Sequence, residues 1–239
     1  MRSVTILGIP IHAITMSETL DWVAAAIADR SPRQICTTNP EFLMTARRDA
    51  AFREVLTDSD LNIPDGIGLL WAARRLGDRL PERVAGSDLV VAIAARAARE
   101  GWRLYLLGAA PGVAERAADV LRAAHPGLLV VGAESGSPRS EDAERLIGPI
   151  VAARPDVLFV AYGAPAQDKW IAAHRVRLGV PVAIGVGGTL DFIAGQASRA
   201  PRWVQQLGLE WLYRFVRQPW RARRIAAAVI EFPLAVLRR

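Results

Sequence analysis

Short, apolar, β-rich runs alternate with amphipathic stretches along most of the chain, and several of these runs end directly in glycine. Val4–Leu7, Gln34–Thr37, Leu61–Ile63, Arg103–Leu107, Leu128–Val131, Val157–Ala161 and Val182–Ile184 read as strands. The helical stretches between them have recognisable starts. Thr15 with Glu18 forms a capping box, Asn39-Pro40 supplies an N-cap and a proline at the first helical position, and Ser87 precedes a long Ala/Val helix. Such alternation predicts an α/β fold, a mainly parallel sheet with helices on both faces.

The glycines at the strand ends are Gly108 after LYLL, Gly163 after VLFVAY, and Gly187-Gly188 after VAIGV. Ligands of open α/β sheets bind beyond the carboxyl ends of the strands, where glycine lets the backbone come close. Gly108-Ala109-Ala110-Pro111-Gly112 then opens a helix whose free N–H groups suit a diphosphate, although the glycine spacing is not GxGxxG. Ordinary strand–helix turns would use glycine in the same places.

Charge is distributed unevenly. The chain carries +6, but Arg199 to Arg239 alone holds nine arginines against Glu210 and Glu231, so residues 1–198 sum to about −1. The same segment contains Trp203, Trp211 and Trp220, and breaks at Gly208, Pro219 and Pro233. A body of residues 1–198 followed by a basic, aromatic helical appendage of residues 199–239 is the expected organisation, with something anionic as the appendage's partner. The single cysteine, Cys36, excludes an internal disulfide and a cysteine-based metal cluster. The N-terminal run is short and reads as a strand in place of a signal peptide, and no run reaches the length of a membrane span.

Four groups of residues could carry chemistry. Thr37-Thr38-Asn39-Pro40-Glu41 joins a strand end to a capped helix. In Pro64-Asp65-Gly66 a carboxylate stands at a strand end between a proline and a glycine. It suits a general base on a substrate hydroxyl, or else a cap for the helix that follows near Ile67. Tyr162-Gly163-Ala164-Pro165-Ala166-Gln167 directs backbone donors and Gln167 toward one ligand edge, and Gly187-Gly188-Thr189-Leu190-Asp191 supplies another glycine turn. Asp58-Ser59-Asp60 has the form of a metal-binding DxD, but its place before an apolar strand reads better as the end of a helix. His12, His125 and His174 show no ligand spacing.

TTNPE, IPDGIG, ERVAGSDL, LLGAAPGVAE, YGAPAQDKW, IGVGGTLDFIAG and RAPRWVQQLGLEWLYRFVRQPWRARR occur in order from about Val4 to Arg224. In this ordered set the chain resembles the WecG/TagA/CpsF glycosyltransferases, glycosyltransferase family twenty-six. The resemblance implies a Rossmann-like body with a C-terminal appendage. It also implies inverting transfer of a sugar from a UDP-sugar to a polyprenyl-diphosphate-linked sugar, in surface polysaccharide synthesis at the cytoplasmic membrane face. No metal cofactor is expected. Asp65 falls on the proposed base, Thr37 and Asn39 on positions near the reacting sugar, and Arg83 and Gln167 on positions lining the same pocket. Arg214, Arg221 and Arg224 fall on tail positions that meet the diphosphate. Gly108, Ala109, Gly112, Tyr162, Gly163, Gly187, Gly188 and Asp191 complete the expected substrate site.

Two departures bear on the donor sugar: Glu134-Ser135-Gly136-Ser137-Pro138 stands where many relatives have a His-Gly pair and an aromatic, and GAPAQD replaces GAPKQE. N-acetylmannosamine, its uronic acid and glucose are all donors within the family. The expected partners are donor, lipid-linked acceptor and an anionic membrane surface, with self-association left open and no nucleic acid. An NAD-type oxidoreductase would use similar glycine-ended strands, and a nucleic-acid binder would use the basic tail. Against the first stand the non-matching GxGxxG and the absence of an obvious proton-relay His or Tyr–Lys pair; the second leaves the PDG and GVGG elements unexplained.

Overall fold

A computed structural model describes residues 1–198, 201, 204, 212, 213 and 222–238. Two strands, β1 (Ser3–Ile6) and β2 (Ile9–His12), form an antiparallel hairpin. A six-stranded parallel sheet contains β3 (Arg33–Thr38), β4 (Leu61–Pro64), β5 (Arg103–Gly108), β6 (Leu129–Glu134), β7 (Val157–Ala161) and β8 (Val182–Gly185). Its order is β4-β3-β8-β7-β5-β6. The expected strands are all present, but the first is not part of the main sheet. It turns back at Leu7-Gly8, both at positive φ, onto a strand that the sequence reading left out. The signal was there: two turn residues between Ile6 and Ile9, then alternation through Ile11.

The helices are α1 (Met16–Asp29), α2 (Pro40–Ala46), α3 (Ala50–Asp58), α4 (Ile67–Arg75), α5 (Gly86–Glu100), α6 (Val113–Ala124), α7 (Ser140–Ala153), α8 (Ala166–Leu178) and α9 (Thr189–Ile193). After the undescribed residues come α10 (Ala222–Ala226), a π-helical stretch (Ala227–Glu231) and α11 (Phe232–Leu237). Strand residues alternate between two faces. Leu104, Leu106 and Phe159 pack with α1, α5 and α6, whereas Tyr105, Leu107, Leu158 and Val160 pack with α7 and α8.

A third apolar cluster joins the hairpin, α2, α3 and α4 to the end of the chain. Phe232 is fully buried in it, with Ala227 and Val236 beside it. The described part of the expected appendage is therefore not set apart from the body. Its last helix helps to build the body's core.

Candidate active site

The chain diverges between β5 and β7, because β5 leads outward to β6 while β7 leads the other way to β8. A crevice at the carboxyl end of the sheet follows from that reversal. The β5–α6 turn is shaped for close approach. Gly108 has φ of 104°, and a side chain there would come within 2.9 Å of the Ala161 carbonyl oxygen. Ala109 adopts a left-handed conformation and its N–H donates to Ala161 O at 3.0 Å. Gly112, at φ of 80°, caps α6 without any side-chain bond, so the helix opens with its N–H groups directed outward.

Gln167 ties the neighbouring turns together. It is only 1 % exposed, and its Oε1 accepts from Gly163 N at 3.1 Å and from Gly187 N at 2.9 Å. The side chain expected to face the ligand lies instead beneath the two glycine turns and holds them in register. Gly188 caps α9, whose half-buried Asp191 also accepts at its carbonyl from Gln196 N and Ala197 N. Tyr162 stands edge-on to Trp170, and its buried hydroxyl has no hydrogen-bond partner among the described residues. Gly136, in the divergent loop, lies against that hydroxyl: a side chain there would approach it to 2.7 Å.

Asp65 stands at the carboxyl end of β4. Its N–H donates to Thr38 O at 2.8 Å and to Ile63 O at 3.0 Å, and its Oδ2 accepts from Gly86 N at 3.1 Å. The helix it caps is therefore not the one that follows it. Gly66, at φ of 145°, begins α4 with no side-chain cap, and the carboxylate of Asp65 instead serves the uncapped start of α5. That helix begins at Gly86, one residue before Ser87. The positive end of the fifteen-residue α5 therefore meets the Asp65 side chain. A Cβ on Gly86 would lie 2.8 Å from Thr37 Cγ2 and 3.5 Å from Asp65 Oδ2, so only glycine admits this packing.

The other predicted residues gather around this point. Thr37 is buried and donates to Gly185 O at 3.1 Å, linking β3 to β8. Asn39 caps α2 by accepting from Phe42 N at 3.0 Å, and its Cβ packs near Gly66. Val84 N–H donates to Pro64 O at 3.0 Å, which holds neighbouring Arg83 at the same strand end, 4.0 Å from Asp88. Arg224 Nε donates to Glu41 in the first turn of α2, so the tail returns to this end of the sheet. Arg214 and Arg221 lie outside the described residues.

Asp58 ends α3, and Asp60 accepts from Gln34 N at 2.8 Å and pairs with Arg175 at 3.3 Å, at the opposite end of β4 from Asp65. Among the described residues no three His, Cys, Asp or Glu side chains gather as metal ligands. Gly86 was not among the expected site residues; its sign is a helix start, Ala85-Gly86, with no capping side chain of its own.

Residues 4–239 match the Glycosyl transferase WecG/TagA/CpsF family. The chain belongs to that family. Three similar proteins carry the name N-acetylglucosaminyldiphosphoundecaprenol N-acetyl-beta-D-mannosaminyltransferase. The one from Bacillus subtilis is 32% identical over 239 residues, which is 100% of this chain and 92% of its own length. A Bacillus spizizenii protein is 32% identical over 204 residues, 85% of this chain and 78% of its own. One from Staphylococcus aureus is 32% identical over 213 residues, 88% and 83% of the two lengths. In this chain the six-stranded parallel sheet carries Asp65, Gly108 and Gly163 at or just beyond its carboxyl edge.

Proposed function

We propose that this chain transfers a sugar, with inversion, from a UDP-sugar to a polyprenyl-diphosphate-linked sugar. The names of the similar proteins favour N-acetylmannosamine as the sugar and N-acetylglucosaminyl-diphosphoundecaprenol as the acceptor. The observation that carries the reading is Asp65 at the carboxyl end of β4, its Oδ2 accepting from the backbone N–H at the start of α5. From β4 to β5 the carboxyl edge spans four strand spacings, about 19 Å. A ligand touching both ends has to be long, as a nucleoside diphosphate sugar is.

In this reading the Asp65 carboxylate takes the proton from the acceptor hydroxyl. That oxygen attacks the anomeric carbon from the face opposite the diphosphate, the carbon–oxygen bond to the donor breaks, and UDP leaves with the electron pair. Charge on the departing diphosphate, which is bonded to the reacting carbon and so lies on the Asp65 side of the edge, is offset by tail arginines, with no metal required. Arg224, reaching the first turn of α2, supports that role for the tail. The reaction takes place at the cytoplasmic membrane face, with the protein bound peripherally. Among the described residues no helix is long and apolar enough to cross a membrane.

Asp65→Asn keeps the size and the bond from Gly86 but cannot take a proton. It is expected to retain donor affinity while transfer to a lipid-linked acceptor falls by about 10²–10⁴-fold. Undiminished transfer would remove Asp65 as the base. A panel of UDP-sugars assayed with the same acceptor identifies the donor, and activity that disappears with a chelator and returns with a divalent ion would overturn the metal-free reading.

A further inference from the structure

At the corner where the C-terminal helix meets α2 and α3 lies a cleft of about 590 Å³. Leu7, Met44, Leu234 and Ala235 give it apolar lining, and Arg47, Arg48, Arg53, Arg238 and Glu231 give it charged lining. Arg48 Nη2 donates to Glu231, which leaves an excess of three positive charges on the other arginines. Among the described residues no ion pair or hydrogen bond engages the guanidinium groups of Arg47, Arg53 or Arg238. The cleft is remote from Asp65. α2 is capped by Asn39 beside that residue and by Arg47 at its other end, with seven helical residues or about 10 Å between them.

The neighbouring helix supplies a second, independent observation. Its Ala227, Phe232 and Val236 enter the core, while Ile230, Leu234 and Leu237 remain 59%, 46% and 51% exposed. Four and three residues apart, they form an apolar strip beside Arg238 and the rim of the cleft. Such a strip next to unpaired guanidinium groups matches the boundary of a bilayer, where acyl chains give way to phosphates. The guanidinium fork also suits two oxygens of one phosphate.

We propose that this corner is a phospholipid-docking site. The cleft takes the phosphate of an anionic lipid headgroup between Arg47, Arg53 and Arg238, with Ile230, Leu234 and Leu237 against the acyl boundary. The proposal rests on the membrane location of the reaction proposed above and extends it. Contact is made jointly by the tail and by a basic corner of the body, which the body's overall charge of about −1 conceals.

The test uses the full chain and vesicles of phosphatidylcholine with or without phosphatidylglycerol. Wild type is expected to co-sediment with the phosphatidylglycerol vesicles, and Arg47→Glu/Arg53→Glu to lose at least about tenfold in affinity. Arg99→Glu/Arg139→Glu, an equal charge change elsewhere, should lose much less. If the charge-reversed protein unfolds, Arg47→Gln/Arg53→Gln tests the same loss in smaller measure. Equal binding by wild type and the folded Arg47/Arg53 variant overturns the proposal, as does an equal loss in the Arg99/Arg139 control. Inorganic phosphate at millimolar concentration separates the sources: its capture through Arg47 and Arg53 by a protein that ignores vesicles would also overturn it. Transfer to a water-soluble, short-chain acceptor, measured on the same preparations, is expected to be unchanged in the Arg47/Arg53 variants. Absence of transfer in wild type would count against the glycosyltransferase reading and not against docking.

Discussion

Asp168 is fully buried at the start of α8, under the glycine turns of the candidate site. Burial pushes its carboxyl up to about 7, against partial relief from the Gln167 amide and the Cys36 thiol that lie beside it. Neither oxygen has a well-formed hydrogen bond among the described residues. Gly185 is the counterpart of this crowding, since a side chain there would come within 2.6 Å of both Asp168 Oδ1 and Gln167 Nε2. Between the ordinary value of 3.8 and about 7 the folded protein holds a proton that the unfolded chain releases. The stability contributed by this group therefore falls as pH rises through that window and levels off above it. Asp168→Asn should gain stability relative to wild type across the same window, on the order of a few kcal/mol at its upper end. Urea unfolding at both ends of the window checks this, and a pH-independent difference would mean that the carboxyl is not held neutral.

Among the elements, the edge strand β4 is the one that carries Asp65, and it is secured from outside the sheet. His12 Nδ1 accepts from Asn62 N at 2.9 Å, and Asn62 in turn receives Thr38 Oγ1 at 2.8 Å and donates to Leu56 O at 2.6 Å. Burial lowers the pKa of His12, so the folded state favours the neutral ring that can accept this bond. The unfolded chain then binds the extra proton first, and this contribution is present above the ordinary value of 6.5 and lost as pH falls below it. Amide exchange at Asn62 should reveal weaker protection on acidification once intrinsic rates are allowed for. His12→Gln, which can still accept but not titrate, should abolish that dependence. The strand was legible from its apolar run and its turn residues. Its tether was not, because His12 sits fifty residues away on a hairpin arm that the sequence reading left out.

The whole molecule is closed by its C-terminus. Phe232 lies against Gly68 of α4, where a side chain would meet its ring at 3.7 Å, in the cluster shared by the hairpin, α2 and α3. Removing the chain beyond residue 198 would uncover that cluster as well as remove the tail arginines. Phe232→Ala is expected to cost about 3–5 kcal/mol by thermal or denaturant unfolding. A loss under about 1 kcal/mol would mean that the terminal helix docks only loosely, since surface substitutions have effects of that size. Charge counting alone sets residues 199–239 apart as a basic appendage. Alternation of apolar and small residues in AAAVIEFPLAVL, with Pro233 admitted in the first turn of α11, is what fits it to the body.

By itself, the sequence determined the parallel α/β architecture, the glycine turns at the carboxyl ends and the family, because strand period, caps and turn residues are local properties. It also singled out Asp65 within a short motif. Only the tertiary structure decided what that aspartate does locally. Its partner Gly86 is twenty-one residues away, at the start of a helix lacking a cap of its own, and it meets the carboxylate only once α5 crosses the sheet. The same holds for Gln167, which joins two glycine turns from below, and for the cleft formed by Arg47, Arg53 and Arg238. Long-range juxtaposition is set by packing of the whole core, and no local pattern in the chain encodes it.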